Sequence, residues 1–167
     1  MTLRLVDLPL PVLTALRDDD VDSAASILGL AIPPEFAAHV EIWTFMITLL
    51  DGQPANEGWT MNAIVSGDTI VGNAGFKGAP DAGGDVELGY TVLPAHRRQG
   101  IAVAATRLLV ERCIREPSVS GLFATIAPDN AASIATITVA GFAPAGDRIH
   151  ERWGRQLVFR HDLVGGP

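Results

Sequence analysis

The residues best placed to do chemistry stand between positions 97 and 102, where Arg97-Arg98-Gln99-Gly100-Ile101-Ala102 carries an extended run into a helical one. A strand that turns through glycine into a helix can cradle phosphate. Glycine lets backbone amides approach a ligand, and the helix start adds unpaired N–H groups and the positive end of its dipole. Arg97 and Arg98 add charge where an anion would sit, or else are solvated loop residues. Two other phosphate-binding designs fail on the same residues. A P-loop needs Gly-x-x-x-x-Gly-Lys-Ser/Thr, and the only lysine, Lys77, stands far from this turn. A dinucleotide-binding domain needs Gly-x-Gly-x-x-Gly between parallel strands, whereas the strands before the turn read as an antiparallel meander.

The elements that must position this loop follow from periodicity and turn residues. Alternating apolar residues predict strands at 3–6, 59–65, 69–76, 85–92, 122–127 and 156–163, with Ser66-Gly67-Asp68 and the glycine-rich 78–84 as turns. Pro9 and Pro11 open a first helix. Asp20 or Asp22 caps a second, which runs through Ile27 and Leu28 to Gly29. Pro33-Pro34-Glu35 predicts one longer helix with Phe36, Val40, Trp43, Ile47 and Leu50 on one side. Ile101, Ala105, Leu108 and Leu109 form the inward stripe of a helix over 100–115, stopped by Pro117. Asp129-Asn130 caps the last helix, through Val139 to Gly141. One α+β domain accounts for residues 1–167.

Composition removes several classes of function. With 48% hydrophobic and 19% charged residues the chain is too apolar for disorder. It has no apolar run near the ~20 residues of a membrane span. A net charge of −7 opposes phosphate backbones and anionic lipid, so neither nucleic acid nor membrane is an expected partner. The charge is uneven: residues 1–95 hold 13 acidic and 3 basic side chains, residues 96–167 hold 6 and 9. That asymmetry fits an anion for the second half and a cationic amine for the first, or simply two solvated faces. Cys113 is alone, so no internal disulfide forms, and the four histidines are scattered, so no metal site is expected. The N-terminus lacks a signal-peptide pattern, and a cytoplasmic location is expected.

The loop and its flanks resemble the GNAT superfamily of acetyl-CoA-dependent N-acetyltransferases, whose pyrophosphate loop reads Arg/Gln-x-x-Gly-x-Gly/Ala. The resemblance extends upstream to Val86-Glu87-Leu88-Gly89-Tyr90 and Val92-x-Pro94, and downstream to Asp129-Asn130-x-x-Ser133 and Gly141-Phe142. It covers roughly residues 60–145 and is nearest the branch with the ribosomal-protein N-terminal acetyltransferases. It implies a mixed, mostly antiparallel sheet flanked by helices and splayed between its fourth and fifth strands, with acetyl-CoA in the gap.

On that resemblance, backbone groups of Tyr90, Thr91 and Val92 pair with the pantetheine arm. Amides from Arg98 through Gln99, Gly100 and Ile101 to Ala102 take the pyrophosphate, with Arg97 and Asn130 alongside. The Val92 amide points at the thioester carbonyl, where negative charge develops as an amine attacks. Many relatives use a tyrosine on the helix after the fifth strand as the acid, but the one tyrosine here is Tyr90, and Ile137 stands four residues before Gly141. Ser133 is then the candidate donor to the sulfur, or a residue that supports the cap. Glu87, before a bulge expected in the fourth strand, is the candidate base, or a carboxylate paired with a neighbouring arginine. His96 reads as a rim residue, Cys113 as packing. Arg148, His150, Arg152 and Arg155 read as surface or as contacts to an acceptor carboxylate or the CoA 3′-phosphate. Trp43, Phe45 and Met46 line an acceptor cleft or belong to the core. The expected reaction is direct acetyl transfer to a primary amine, a protein or peptide α-amino group or a small-molecule amine, by an enzyme that forms a homodimer. The alternative is an acyl-CoA-binding module that performs no transfer.

Overall fold

A computed structural model describes residues 2–163. Seven strands form one sheet in the order β1-β2-β3-β4-β5-β7-β6. They are β1 (Leu3–Asp7), β2 (Met61–Ser66), β3 (Thr69–Phe76), β4 (Asp85–Val92), β5 (Gly121–Ile126), β6 (Ala143–His150) and β7 (Gly154–Asp162). Every pairing is antiparallel except β4 with β5. That parallel pairing spans only Asp85 to Glu87 against Gly121 to Phe123, after which the strands part.

The sheet is apolar on both faces because helices cover both. On one face lie α5 (Ile101–Ile114) and α6 (Ala131–Val139), with Ile101, Ala105, Leu109 and Ile137 packed against Phe76, Leu88 and Leu122. The other face carries α1 (Leu10–Arg17), α2 (Val21–Leu28), α3 (Pro34–Ala37) and α4 (Val40–Leu50), with Leu13, Leu16, Phe36 and Trp43 packed against Met61, Ala63 and Ile70. No helix among the described residues is long and apolar enough to cross a membrane.

Asp20 caps α2 by accepting the Ser23 amide at 3.1 Å, and Gly29 ends it with φ +66°. The single long helix expected from Pro33 is instead two. His39, with ψ 43°, leaves the helical region between α3 and α4. The indole of buried Trp43 donates to the Ala37 carbonyl at 3.2 Å, an acceptor that a continuous helix would have satisfied from the backbone. Val40, expected on the apolar side, is left 42% exposed. Nor does β4 carry the expected bulge on its β3 side: Leu88 to Val92 stay in unbroken register with Gly72 to Phe76.

Below the fork the strands are tied from outside. Arg160 on β7 reaches Asp85 on β4 by crossing β5 at Gly121, where a Cβ would lie 2.7 Å from the guanidinium. A side chain at Gly121 would therefore make the guanidinium shift.

Candidate active site at the splayed strands

The fork opens into a cleft of about 670 Å³ lined by β4, β5, α4, the start of α6 and the β6–β7 hairpin. Antiparallel pairing alternates the direction of backbone polar groups. Two bonds fix the parity on β4: Lys77 N–H donates to the Glu87 carbonyl at 2.9 Å, and Leu93 N–H to the Val71 carbonyl at 2.9 Å. Odd-numbered residues of β4 therefore bond to β3, and Tyr90 and Val92 turn their N–H groups toward the gap. Thr91, expected to pair with a ligand alongside them, faces β3 opposite Asn73 and offers the cleft only its side chain. The Val92 carbonyl accepts from Arg97 Nε at 3.0 Å, so this arginine braces the strand end.

The loop after β4 has the backbone of an anion cradle. Arg98 has φ +60° and Gly100 φ +75°, two left-handed residues flanking Gln99. Gly100 begins α5 without a side-chain cap, and its carbonyl already accepts from Ala104. The N–H groups of Ile101 and Ala102 therefore point out of the helix end beside exposed Arg97 and Arg98. A Cβ at Gly100 would meet nothing within 4 Å, which leaves space for a ligand at that amide. These features fit a pyrophosphate.

Glu87 stands where the parallel pairing ends. Its Oε1 accepts from Lys77 Nζ at 2.7 Å and Thr125 Oγ1 at 2.6 Å, and its Oε2 from Arg148 at 2.8 Å. Burial pushes this carboxyl up, but the Lys77 charge and the bonds from Lys77, Thr125 and Arg148 outweigh it and hold the group below its ordinary range. The carboxylate is paired, and it still lines the cleft.

Ser133 is held through its backbone. Its N–H donates to Asn130 Oδ1 at 3.1 Å, which makes Asn130 the cap of α6, and its carbonyl accepts from the Tyr90 hydroxyl at 3.1 Å. Ser133 lines the cleft. Burial raises the Tyr90 phenol, which therefore stays protonated. Ile137, where many relatives place tyrosine, is fully buried.

On α4 exposed Phe45 lines the cleft, and Met46 borders it but is buried in the core with Trp43. His39, hydrogen-bonded to Asn73 Nδ2 at 3.1 Å, is pushed down first by burial and then by the Arg97 charge. Arg148, His150 and Arg152 line the cleft, while Arg155 pairs with Asp147 at 2.6 Å outside it. Arg152 meets Glu41 at 3.1 Å across the mouth. Charged side chains along the cleft are thus Lys77, Arg148 and Arg152 against Glu41 and Glu87. The acidic first half does not make the cleft acidic. Cys113 is buried away from it, its thiol pushed up to about 11 by burial.

Sequence reasoning missed Lys77 and Thr125. A hairpin register would have put Lys77 opposite Glu87, but the seven-residue turn at 78–84 hides that register. Thr125 is brought in by the parallel strand, which no local signal specifies.

The acetyltransferase (GNAT) domain model matches residues 12–143. An uncharacterized N-acetyltransferase of Bacillus subtilis (strain 168), YjdG, is 31% identical over 144 residues, 84% of this chain and 85% of that protein. Among solved structures, the ribosomal L7/L12 alpha-N-protein acetyltransferase RimL in complex with coenzyme A superposes with TM-score 0.70 at 16% identity, covering 98% of this chain and 95% of that one. The aminoglycoside acetyltransferase AAC(6')-Ib in complex with coenzyme A gives TM-score 0.65 at 18% identity, covering 96% and 94%. At such identities the two structures speak for the fold alone.

Proposed function

We propose that this chain, which belongs to the GNAT acetyltransferase family and is an N-acetyltransferase, transfers acetyl from acetyl-CoA directly to a primary amine on a peptide or small molecule. The observation that carries this reading is the fork itself: Glu87 and Tyr90 line the cleft where β4 leaves β5, and β4 runs on from there through Val92 into the anion cradle, whose residues 97–102 lie beyond the cleft lining. The neighbours of known structure, in complexes with coenzyme A, support acetyl-CoA as cosubstrate. The acceptors those two enzymes are named for, an aminoglycoside and the α-amino group of a ribosomal protein, are both amines. The alternative of binding without transfer gives way to the family assignment.

Acetyl-CoA supplies an activated thioester in the gap. Around it, the amides of Ile101 and Ala102 with Arg98 hold phosphate, and Tyr90 N–H pairs with the pantetheine arm. Val92 N–H donates to the thioester oxygen, where a fixed donor favours the developing charge over the ground state. Arg97 keeps that donor aligned through the Val92 carbonyl. Ser133 Oγ donates to the sulfur; its backbone, pinned by Asn130 and Tyr90, fixes the position of that hydroxyl. Glu87 takes the proton from the incoming ammonium. Its cationic partners keep it ionised at neutral pH, so it is always available, and its low basicity makes it a relay to solvent through water rather than a store.

A homodimer and a cytoplasmic location belong to the same proposal. The edge strand β6 supports the dimer, for Ile149 on it is 77% exposed. Free-thiol release from acetyl-CoA across a panel of peptide, polyamine and amino-acid amines tests the function, with light scattering on the same preparation for the dimer.

A further inference from the structure

The chain has one lysine among its 12 cationic side chains. All the others are arginines, whose guanidinium stays protonated and takes no acyl group under these conditions. That one side-chain amine lies in the cleft. Lys77 lines it with its side chain 32% exposed, and Nζ sits 2.7 Å from Glu87 Oε1. Its four-carbon stem is flexible and packs against Gly89 beside Met61: the Cβ that Gly89 lacks would meet Met61 Cε at 3.2 Å and Lys77 Cε at 3.4 Å. Lys77, Glu87, Gly89 and Tyr90 line one cleft, and transfer requires Nζ to swing from Glu87 past Gly89 toward Tyr90. An amine tethered beside the reacting carbon reacts at an effective concentration no free acceptor matches.

We propose that Lys77 is a self-acetylation site, modified by the acetyl-CoA held in its own cleft. The inference rests on the proposed binding of acetyl-CoA in the fork and on Glu87 as proton acceptor. In the step, the thioester C–S bond breaks and a C–N bond to Nζ forms. The Lys77 ammonium gives up two protons: Glu87 passes one to solvent, and the other ends on the departing sulfur, giving free CoA thiol. The product is a neutral amide, so Glu87 keeps Arg148 and Thr125 but loses one of its two cations. Burial, which pushes this carboxyl up, is then less opposed, and Glu87 becomes the stronger base. An enzyme that has met acetyl-CoA without acceptor would thereby adjust its own proton acceptor.

The test is incubation of the purified chain with acetyl-CoA and no amine, followed by intact-mass measurement and peptide mapping. The expected result is a gain of about 42 Da, one acetyl for one hydrogen, located on Lys77. Its rate constant is independent of protein concentration. Lys77→Arg, which preserves the charge facing Glu87, gains nothing at that position, and heat-unfolded protein is labelled at least tenfold more slowly. An unmodified Lys77 in protein that binds acetyl-CoA and acetylates an added amine overturns the self-acetylation alone. So does label confined to the α-amino group, or equal labelling of folded and unfolded chain. Protein that fails to bind acetyl-CoA overturns this inference together with the reading beneath it.

Discussion

Lys77 and Glu87 face each other across the ends of β3 and β4 and are joined twice, backbone amide to carbonyl at 2.9 Å and ammonium to carboxylate at 2.7 Å. The same carboxylate receives Thr125 from β5 and Arg148 from β6. One side chain thus gathers four segments at the point where β4 and β5 separate. A group that holds the apex of the fork is also fixed in place for proton transfer, and its two roles separate experimentally.

Replacing Glu87 by Gln keeps the shape and removes the proton acceptor. The expected result is a fall in kcat of about 10²-fold or more, the usual scale for general base catalysis, with acetyl-CoA affinity within about twofold of the parent. Single-turnover kinetics and calorimetry measure the two. An unchanged kcat would leave Glu87 with only its structural role.

The structural role has a pH signature. Glu87 titrates below its ordinary value in the folded chain, so folding favours the ionised form. Its contribution to stability is therefore complete above the unfolded value and is lost as pH falls through the folded one. Thermal melts of the parent and Glu87→Gln should differ by a constant margin at neutral pH, and the margin should shrink below about pH 4. A margin that grows on acidification would contradict the sign.

These contacts mark the limit of what the sequence carried. The turn into α5 was legible because Gly100 stands directly before a helix start, whereas the left-handed backbone of Arg98 carried no signal. The meander was legible from alternation and turn residues. The break at His39 was not, because Trp43 decides it by reaching back to the Ala37 carbonyl from a core position, a tertiary effect. Thr91 could not be distinguished from Tyr90 and Val92 without knowing which β4 residues bond to β3. For Glu87 the sequence left base and ion pair as alternatives, and the fold makes the pairing plain because Thr125 and Arg148 arrive from other strands and Lys77 from just past β3.

Gly100→Ala isolates the backbone of the cradle. Its φ of +75° strains any residue with a Cβ, while the space around it is open, so the cost is conformational and about 1 kcal/mol. Urea denaturation should show that loss. Calorimetry should show CoA binding weakened by at least tenfold, since relief of the strain rotates the amides of Ile101 and Ala102 away. Normal affinity in the variant would move the phosphate site elsewhere.

Asn130→Ala removes the cap of α6 and the acceptor that fixes Ser133. The expected cost is about 1 kcal/mol of stability, with kcat reduced more than KM for acetyl-CoA is raised. Asn130→Asp retains a capping oxygen and should recover most of both. If the alanine variant lost stability at unchanged kcat, Ser133 would be a cap-supporting residue with no part in thiol departure.

The most direct test of the central claim is CoA thiol release from acetyl-CoA in the presence of primary amines, read against the amine-free rate. Saturable release with at least one peptide or small-molecule amine, with the acetyl group recovered on that amine by mass spectrometry, is the predicted result. Tight acetyl-CoA binding with release at the amine-free rate for every peptide, polyamine and amino acid would contradict it.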